Sequence, residues 1–372
     1  MGNNIMSSMH EKYGLTEVIN ASGRMTALGV STPNEDVVNA VKEGLGQYFD
    51  MKDLVIKTGE YIANLLNVDA AVVVSCASAG IAQSVAAVIV QDSQYRLENL
   101  HAHAHDVPSE IVLPKGHNVN FGAPVGTMVT LGGGTIKEAG YANECSAEQL
   151  EAAITKNTAA ILYIKSHHCV QKSILTVEQA VVVAQKHNLP LIVDAAAEED
   201  LHGYFAMGAD LVIYSGAKAI EGPTSGLVVG KTQYVDWVRK QSQGIGRAMK
   251  VGKEGILGLT HAITDYLTIE KETGQEMVAK MEKFIFDINT INGVKSRVVW
   301  DSAGRDIARA EIAFDHDILS TTTTDIVKQL NNGNPAIYCR GYKANEGIIE
   351  IDVRSVNATQ LNTIFLKINA LF

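Results

Sequence analysis

The sequence lacks the features that would place it in an oxidising compartment, a membrane or a metal-binding class. Its four cysteines are scattered and no two have a C-x-x-C spacing, so neither a disulfide framework nor a zinc site is expected. No apolar run approaches the ~20 residues that cross a bilayer, and the polar start M-G-N-N-I-M-S-S has no signal-peptide core. We therefore expect a cytoplasmic protein with no metal and no membrane partner.

Positive charge is also scarce. The chain has 31 lysines and arginines against 41 aspartates and glutamates, which gives a net charge of -10. A nucleic-acid surface needs a basic stripe to neutralise phosphates, so we expect a small-molecule partner and no nucleic acid. With 372 residues, 46% of them hydrophobic, the composition is that of a globular protein with two domains.

Apolar, β-branched runs of strand length alternate with helical patterns over the first two thirds of the chain. Capping-box patterns at Ser146 and Thr176 mark two of the helix starts. Buried strands between amphipathic helices predict an α/β fold, with a mostly parallel seven-stranded sheet sandwiched by helices. The seven predicted strands are residues 70–76, 110–114, 127–131, 159–165, 189–195, 211–214 and 227–229.

The pattern changes near residue 253, and three segments are predicted. Residues 1–50 form an N-terminal segment that packs on the large domain or on a partner subunit. Residues 51–253 form a large domain, and residues 254–372 form a linker helix and a smaller C-terminal α/β domain. In this last part, alternation predicts half-buried strands at 296–300, 307–314, 336–340 and 348–353, with helices at 275–288, 324–331 and 359–371.

Lys218 lies in the tightest link between two predicted core strands, within L-V-I-Y-S-G-A-K-A-I-E-G-P-T-S-G-L-V-V-G. A lysine held between buried strands and flanked by small residues can be partly desolvated, which favours the neutral nucleophile of Schiff-base chemistry. A solvated surface-loop lysine is the alternative, and for an isolated lysine it is the commoner one.

Ligands of parallel sheets gather at the carboxyl ends of the strands, so the residues after each strand are informative. The first strand is followed by S-C-A-S-A-G at residues 75–80 and then by a helical pattern. Small residues at this point let backbone N–H groups face a phosphate, and the helix dipole adds attraction. Tight strand-to-helix packing is the alternative.

Three further strand ends carry polar residues. His117 could stack on a planar cofactor or hydrogen-bond within its loop. The run K-S-H-H, which contains His167, could hydrogen-bond to a ligand, whereas a metal is not expected because adjacent histidines point in different directions on an extended chain. Asp194 ends a buried strand, where it would need a partner such as a protonated ring nitrogen, or would cap a helix.

Taken in chain order, these signals match the needs of pyridoxal 5'-phosphate (PLP), which requires a phosphate site, a counter-ion for its ring nitrogen and a Schiff-base amine. The chain resembles the fold type I family of PLP enzymes, and more narrowly the group related to bacterial L-seryl-tRNA selenium transferase. The resemblance covers nearly the whole chain. It is carried by V-I-N-A-S-G at Val18, I-V-D-A-A-A at Ile192, S-G-A-K at Ser215, G-I-G-R-A-M-K-V-G-K at Gly244 and I-D-V-R at Ile351.

Within that group the chain is most similar to the D-glucosaminate-6-phosphate ammonia-lyases. The carrying segments are I-N-A-S-G-R-M-T-A-L-G-V-S, the S-C-A-S-A-G turn and V-D-A-A-A-E-E-D. The chain shows no counterpart of the transferases' N-terminal RNA-binding domain, and its acidic charge suits tRNA poorly. A small-molecule lyase is therefore expected.

The resemblance implies a role for each matching residue. Lys218 would form the Schiff base and remove the α-proton of the substrate, and Asp194 would keep the ring nitrogen protonated. Thr224 would reach the cofactor from a neighbouring subunit of a homodimer or higher homo-oligomer, or its hydroxyl would serve only the turn. The other implied cofactor contacts are Ala77, Ser78, Ala79, Gly80, His117, His167 and Ser215.

The substrate would be held by arginines and lysines. In similar enzymes an arginine at the position of Arg354 binds the α-carboxylate, for which a planar bidentate donor is suited. Arg340 is the second candidate, and a solvated strand-end arginine is the alternative. Arg247, Lys250 and Lys253, with Lys115 and Arg24, are the candidates for a sugar phosphate, unless they form an ordinary charged helix face.

The implied reaction is an α,β-elimination on a 2-amino-3-hydroxy sugar acid phosphate such as D-glucosaminate 6-phosphate. The products would be 2-keto-3-deoxy-6-phosphogluconate and ammonia. Two alternatives stay open. One is other PLP chemistry on the same scaffold, such as a selenium transferase, a carbon-sulfur lyase or an aldolase. The other is a non-catalytic binding protein with this fold.

Overall fold

The computed structural model describes residues 8–166, 168–301 and 305–372. It divides the chain into two compact units, a larger one of Ser31–Ile269 and a smaller one of Met1–Val30 with Glu270–Phe372. These bounds differ from the three predicted segments. Residues 31–50 and the predicted linker helix belong to the larger unit, because the helix formed by Glu35–Gly46 packs along the helix formed by Lys253–Thr268.

The described residues form twelve strands and fourteen α-helices. The strands are β1 (Val18–Ala21), β2 (Ala70–Val74), β3 (Glu110–Pro114), β4 (Thr135–Ala139), β5 (Thr158–Ile164), β6 (Leu191–Asp194), β7 (Leu211–Ser215), β8 (Gly226–Gly230), β9 (Val294–Trp300), β10 (Ala308–Phe314), β11 (Ala336–Cys339) and β12 (Ile348–Asp352). The helices are α1 (Met9–Tyr13), α2 (Glu35–Gly46), α3 (Met51–Leu66), α4 (Ala77–Val90), α5 (Gln94–His103), α6 (Val125–Leu131), α7 (Ala147–Ala152), α8 (Val177–Lys186), α9 (Gly203–Ala206), α10 (Thr232–Lys240), α11 (Lys253–Thr268), α12 (Gly274–Ile288), α13 (Thr323–Asn331) and α14 (Ala358–Asn369). None of these helices is long and apolar enough to cross a bilayer.

The larger unit is built on a seven-stranded sheet in the order β2-β8-β7-β6-β5-β3-β4. Only β8 runs antiparallel to its neighbours, so the predicted mostly parallel sheet is confirmed. Both faces are covered. Along β2, Ala71 and Val73 belong to one apolar cluster, whereas Ala70, Val72 and Val74 belong to the other.

One predicted strand is wrong. Residues 127–131 lie in helix α6, not in a strand. The run T-M-V-T-L has β-branched residues, but Val125 and Val129, four residues apart, are the ones buried, which is helical spacing. The seventh strand is β4, at the edge of the sheet beside β3. Its residues are mostly exposed, so it has no apolar run to reveal it.

The predicted capping boxes are present at the starts of α7 and α8. Ser146 Oγ accepts from the Gln149 N–H at 3.3 Å, and Gln149 Oε1 accepts from the Ser146 N–H at 2.8 Å. Thr176 and Gln179 make the same reciprocal pair. These bonds satisfy backbone donors that the first turn of a helix leaves unpaired.

The smaller unit contains a three-stranded antiparallel sheet, β12-β10-β9, and a parallel pair of β1 with β11. Helices α12 and α14 pack together, and their apolar faces join the strands in one core, with members such as Phe284, Ile312 and Ile364. The strands and helices predicted for residues 275–371 are confirmed to within a few residues at each end.

Candidate active site

Lys218 lies in the turn between the antiparallel strands β7 and β8, and it is half-buried. The turn is fixed at both of its sides. The Gly216 N–H donates to the Ser225 carbonyl at 2.8 Å, and Ser31 Oγ donates to the Ala217 carbonyl at 2.8 Å. The turn that carries Lys218 is therefore anchored at the carboxyl end of β7, and the Schiff-base role of Lys218 stays a prediction.

Asp194 ends the neighbouring strand β6 and is only 6% exposed. Its Oδ1 accepts from the Ala196 N–H at 3.1 Å. Burial raises the pKa of Asp194 to about 6, although the Ala196 bond and the charge of Lys218 oppose the shift. Helix α9, the next helix in the described chain, begins only at Gly203, so Asp194 caps no helix and that alternative is wrong.

The S-C-A-S-A-G segment forms the start of helix α4, directly after β2. Cys76 is the N-cap, and its Sγ accepts from the Ala79 N–H at 3.3 Å. The N–H groups of Ala77 and Ser78 belong to the first turn, which has no acceptors within the helix. Together with the helix dipole, they make this end of α4 suited to a phosphate.

The start of α4 lies against the strand that follows the Lys218 turn. A Cβ on Gly226, the first residue of β8, would lie 2.8 Å from the backbone nitrogen of Ala77. Gly80 serves packing, because a Cβ there would lie 2.8 Å from Ile213 Cγ2 on β7. The small residues of this segment therefore allow the start of α4 to pack closely against β7 and β8, the two strands that flank the Lys218 turn.

His117 is completely buried, in the turn after β3. Its Nδ1 accepts from the Ile164 N–H at 3.3 Å, and its ring meets the Tyr163 ring edge-on at 4.6 Å between centroids. Burial lowers the pKa of His117 to about 4, so the ring is neutral at pH 7. The hydrogen bond joins His117 to strand β5 and not to its own loop, and stacking on a cofactor stays a prediction.

The other predicted cofactor contacts differ in exposure. Ser215 is half-buried at the end of β7, and its N–H donates to the Ala196 carbonyl at 3.2 Å. Thr224 is exposed, and the adjacent Ser225 donates its hydroxyl to the Pro223 carbonyl at 2.7 Å, a bond within the turn. His167 lies outside the described residues.

Of the four cations of the larger unit that were predicted to bind the substrate phosphate, two already have partners within the unit and two are exposed. Lys115 is paired with Glu138 at 3.2 Å, and Lys253 Nζ donates to the carbonyls of Leu45 and Gln47 at the end of α2. Lys253 therefore completes a helix end. The remaining two, Arg247 and Lys250, are exposed. Among the described residues, no group of three or more His, Cys, Asp or Glu side chains could hold a metal.

The smaller unit holds the predicted carboxylate receptors. Arg354 donates to Asp352 through Nε at 2.9 Å and through Nη2 at 2.8 Å. Arg340 donates to Glu350 at 3.1 Å and lies over the Tyr342 ring. Arg24, also in this unit, is half-buried. Arg354 is thus held at a fixed position by a buried carboxylate.

The sequence prediction missed the partners of Arg354. Arg309 on β10 is 3% exposed and donates to Asp352 at 3.2 Å and to Asp301 at 2.8 Å. The available signal was the alternation of A-R-A-E-I-A-F, which places Arg309 and Glu311 on one face. That pattern suggests a solvated face, whereas the structure buries it.

Comparisons with known proteins point to one enzyme family over most of the chain. A family model described as L-seryl-tRNA selenium transferase matches residues 18–291. The chain is 41% identical over 363 residues to a D-glucosaminate-6-phosphate ammonia lyase of Salmonella typhimurium, a match that covers 97% of each protein. It is 34% identical over 359 residues to a 5'-C-glycyluridine monooxygenase-decarboxylase of Streptomyces sp, covering 96% of this chain and 89% of that protein. A solved structure of D-glucosaminate-6-phosphate ammonia-lyase, 40% identical, has a TM-score of 0.94 over 99% of this chain and 98% of that one.

Proposed function

The chain belongs to the L-seryl-tRNA selenium transferase family of fold type I PLP enzymes, and we propose that it is an ammonia-lyase acting on D-glucosaminate 6-phosphate or a close analogue. The predicted family, fold class and cofactor are thereby confirmed. The observation that carries the substrate proposal is the 41% identity to the Salmonella typhimurium lyase across 97% of both chains.

The residues of the larger unit fit PLP. Asp194 is a buried carboxylate whose pKa is raised to about 6 by burial, so a cationic ring nitrogen would stabilise its charged form. The first-turn amides of α4 suit the phosphate, and the anchored Lys218 supplies the amine. Ala77 and Ser78 would donate their N–H groups to the phosphate, whereas the N–H groups of Ala79 and Gly80 bond to Cys76, so contacts of these two with the cofactor stay predictions.

The cofactor, when bound, draws electrons away from C2 of the substrate and so makes its C2 proton acidic. Lys218 Nζ is the base that removes this proton, and the hydroxyl at C3 then leaves with one proton as water while a double bond forms between C2 and C3. The bond between C2 and nitrogen is then hydrolysed, which takes up one water and releases ammonia. The net conversion is the substrate to one 2-keto-3-deoxy acid phosphate and one ammonia, which balances without an oxidant.

We propose that the substrate is bound at both ends by cations. Arg354 receives the C1 carboxylate, because a guanidinium offers two parallel donors to it. Arg247 and Lys250, with Arg24, are proposed for the phosphate at C6. Lys115 and Lys253 are weaker candidates, since one pairs with Glu138 and the other completes helix α2.

A homodimer or higher homo-oligomer, in which Thr224 reaches the cofactor from the neighbouring subunit, stays a prediction. The same holds for contacts of His117, His167 and Ser215 with the cofactor, for Arg340 as a second carboxylate receptor, and for a cytoplasmic location.

The proposal is tested by incubating the PLP-loaded protein with D-glucosaminate 6-phosphate, unphosphorylated D-glucosaminate and D-serine. We expect ammonia and 2-keto acid in equal amounts from the phosphorylated sugar acid, and much less from the other two. Absence of both products from every substrate would refute the proposal.

The Streptomyces sp relative makes one alternative measurable. Its name describes an oxygen-dependent loss of carbon dioxide, whereas the proposed elimination consumes no oxygen. Oxygen uptake and carbon dioxide release should therefore both be absent from the same incubations. Oxygen uptake coupled to carbon dioxide release would favour that second reaction class.

A further inference from the structure

The smaller unit contains a network of charged side chains that the sequence motifs did not reveal, and three of its members, Asp301, Arg309 and Asp352, are buried. Arg305 donates to both oxygens of Asp301 at 3.0 Å, and Arg309 bridges Asp301 and Asp352. Arg354 completes the chain of contacts on the other side of Asp352. Three guanidinium groups thus share two carboxylates, and one of the guanidinium groups is the proposed carboxylate receptor.

Asp352 makes contacts in two directions. Its Oδ1 accepts from Arg354 Nε and from the Arg354 backbone N–H, and its Oδ2 accepts from Arg354 Nη2 and Arg309 Nε. Arg309 and Asp352 are direct cross-strand partners on β10 and β12. The strand pairing therefore fixes the carboxylate, and the carboxylate fixes one edge of the Arg354 guanidinium.

A turn of the N-terminal segment packs on the same ion pair. A Cβ on Gly23 would lie 3.2 Å from Asp352 Oδ2 and 3.4 Å from Arg354 Nη2, and Gly23 has a positive φ of 92°. Asn20 holds the turn, because its Nδ2 donates to the Gly23 carbonyl at 2.7 Å. The V-I-N-A-S-G motif thus forms a wall beside Arg354 that a larger residue would disturb.

Stability alone does not account for such a network. Buried ion pairs are costly to desolvate, and apolar side chains of similar volume often stabilise a protein equally well. What the network does supply is rigidity. Arg354 is held through two donors to a carboxylate that is itself held from behind, so little side-chain entropy remains to be lost when an anion binds.

We propose that Asp352 and Arg309 are positioning residues for Arg354, which fix its guanidinium so that the enzyme selects substrates with a carboxylate at C1. The inference rests on the proposed function, because it takes Arg354 as the carboxylate receptor.

The experiment compares two ligands on the PLP-loaded protein by titration calorimetry. The first is the 3-deoxy analogue of D-glucosaminate 6-phosphate, which lacks the leaving hydroxyl, and the second is its C1 carboxamide. The variants are Arg309→Lys, which keeps the charge but cannot bridge two carboxylates, and the isosteric Asp352→Asn. The matched control is Arg297→Lys, since Arg297 pairs with Glu311 across the neighbouring strands of the same sheet.

We expect the wild-type protein and Arg297→Lys to bind the carboxylate more tightly than the carboxamide by the same ratio. That ratio should fall at least about tenfold in Arg309→Lys and in Asp352→Asn, because charge-assisted hydrogen bonds depend on geometry. Carboxamide affinity should stay within about twofold in all variants. A merely structural role would weaken both ligands together.

An unchanged ratio in both variants would overturn the inference, and so would a wild-type protein that does not discriminate the two ligands. Should Arg309→Lys fail to fold by circular dichroism, Asp352→Asn decides alone. If the wild-type protein discriminates the ligands but releases no ammonia from D-glucosaminate 6-phosphate, the proposed reaction fails while the inference stands.

Discussion

Asp194 in the larger unit and Asp352 in the smaller unit are both buried carboxylates at the last residue of a strand, but their surroundings differ. Burial raises the pKa of Asp194 to about 6. Burial acts on Asp352 in the same sense, but hydrogen bonds from Arg354 and the charges of Arg354 and Arg309 outweigh it and hold the pKa of Asp352 below its usual value.

The difference indicates what each unit requires from outside. The Asp352 network supplies its own cations, so both carboxylates are paired with arginines of the same unit. Asp194 accepts one backbone hydrogen bond and is influenced by the charge of Lys218, so it is suited to a cation that a ligand brings. Asp194 therefore fits the cofactor role that we propose for it, whereas Asp352 already holds Arg354 through two hydrogen bonds within the smaller unit.

The largest effect should come from Lys218, the proposed Schiff-base lysine. We expect Lys218→Ala to lower turnover of D-glucosaminate 6-phosphate at least about a thousandfold, because one residue is both nucleophile and base. Steady-state ammonia release measures this, with the exposed Lys172→Ala as control. Turnover within tenfold of the wild type would exclude the mechanism.

The second effect concerns stability of the smaller unit. Arg309→Met leaves Asp301 and Asp352 buried without the cation that bridges them, and we expect unfolding free energy to fall by about 3–5 kcal/mol. Lys328→Met, which removes an exposed pair with Asp325, should change it by less than about 1 kcal/mol. Urea unfolding gives both values. Equal losses in the two variants would show that the network is not tightly coupled.

Asp194→Asn should raise the unfolding free energy of the cofactor-free protein, whereas Arg309→Met lowers that of the smaller unit. Because the pKa of Asp194 is raised to about 6 in the folded state, the unfolded chain loses its proton first, and stability falls as pH rises from about 4 to about 6. The substitution removes this loss and should stabilise the cofactor-free protein at pH 8 by up to about 3 kcal/mol. A destabilised variant at pH 8 would contradict the contrast with Asp352.

The smallest effect is the change of unfolding free energy with pH in the unaltered cofactor-free protein. Burial lowers the pKa of His117 to about 4, so the contribution of His117 is present above its ordinary pKa and is lost as pH falls from about 6.5 to about 4. Since this trend opposes that of Asp194, the two should nearly cancel, to within about 1 kcal/mol.

In Asp194→Asn, only the pH dependence of stability caused by His117 should remain. The stability of this variant should rise with pH between 4.5 and 6.5 in urea unfolding, more steeply than that of the unaltered protein. Parallel profiles for the two proteins would mean that Asp194 ionises at an ordinary pH in the folded state.

Much of the fold could be predicted because the central strands are buried on both faces. The strands β5 to β8 are continuous apolar runs, which identify them without knowledge of their neighbours. The edge of the sheet could not be found in this way. Strand β4 is mostly exposed, and the β-branched run at residues 127–131 is helical because its tertiary packing outweighs its strand propensity.

The residues of the candidate site also differ in whether the sequence alone could reveal them. The start of α4, Asp194 and Lys218 follow the carboxyl ends of β2, β6 and β7, which run in the same direction, so the fold class predicted from the sequence places them at one end of the sheet. The Arg309–Asp352 contact depends on the pairing of β10 with β12. A sequence pattern shows which residues share a face of a strand. It does not show which strand pairs with that strand or whether other residues bury that face.

The most direct test of the account is to reduce the PLP-loaded protein with borohydride and map the modified peptide by mass spectrometry. The account predicts one phosphopyridoxyl group per chain on Lys218, and none on Lys165 or Lys172. Modification of a different lysine, or a protein that binds no PLP covalently, would contradict the assignment of Lys218 and Asp194 as the cofactor site.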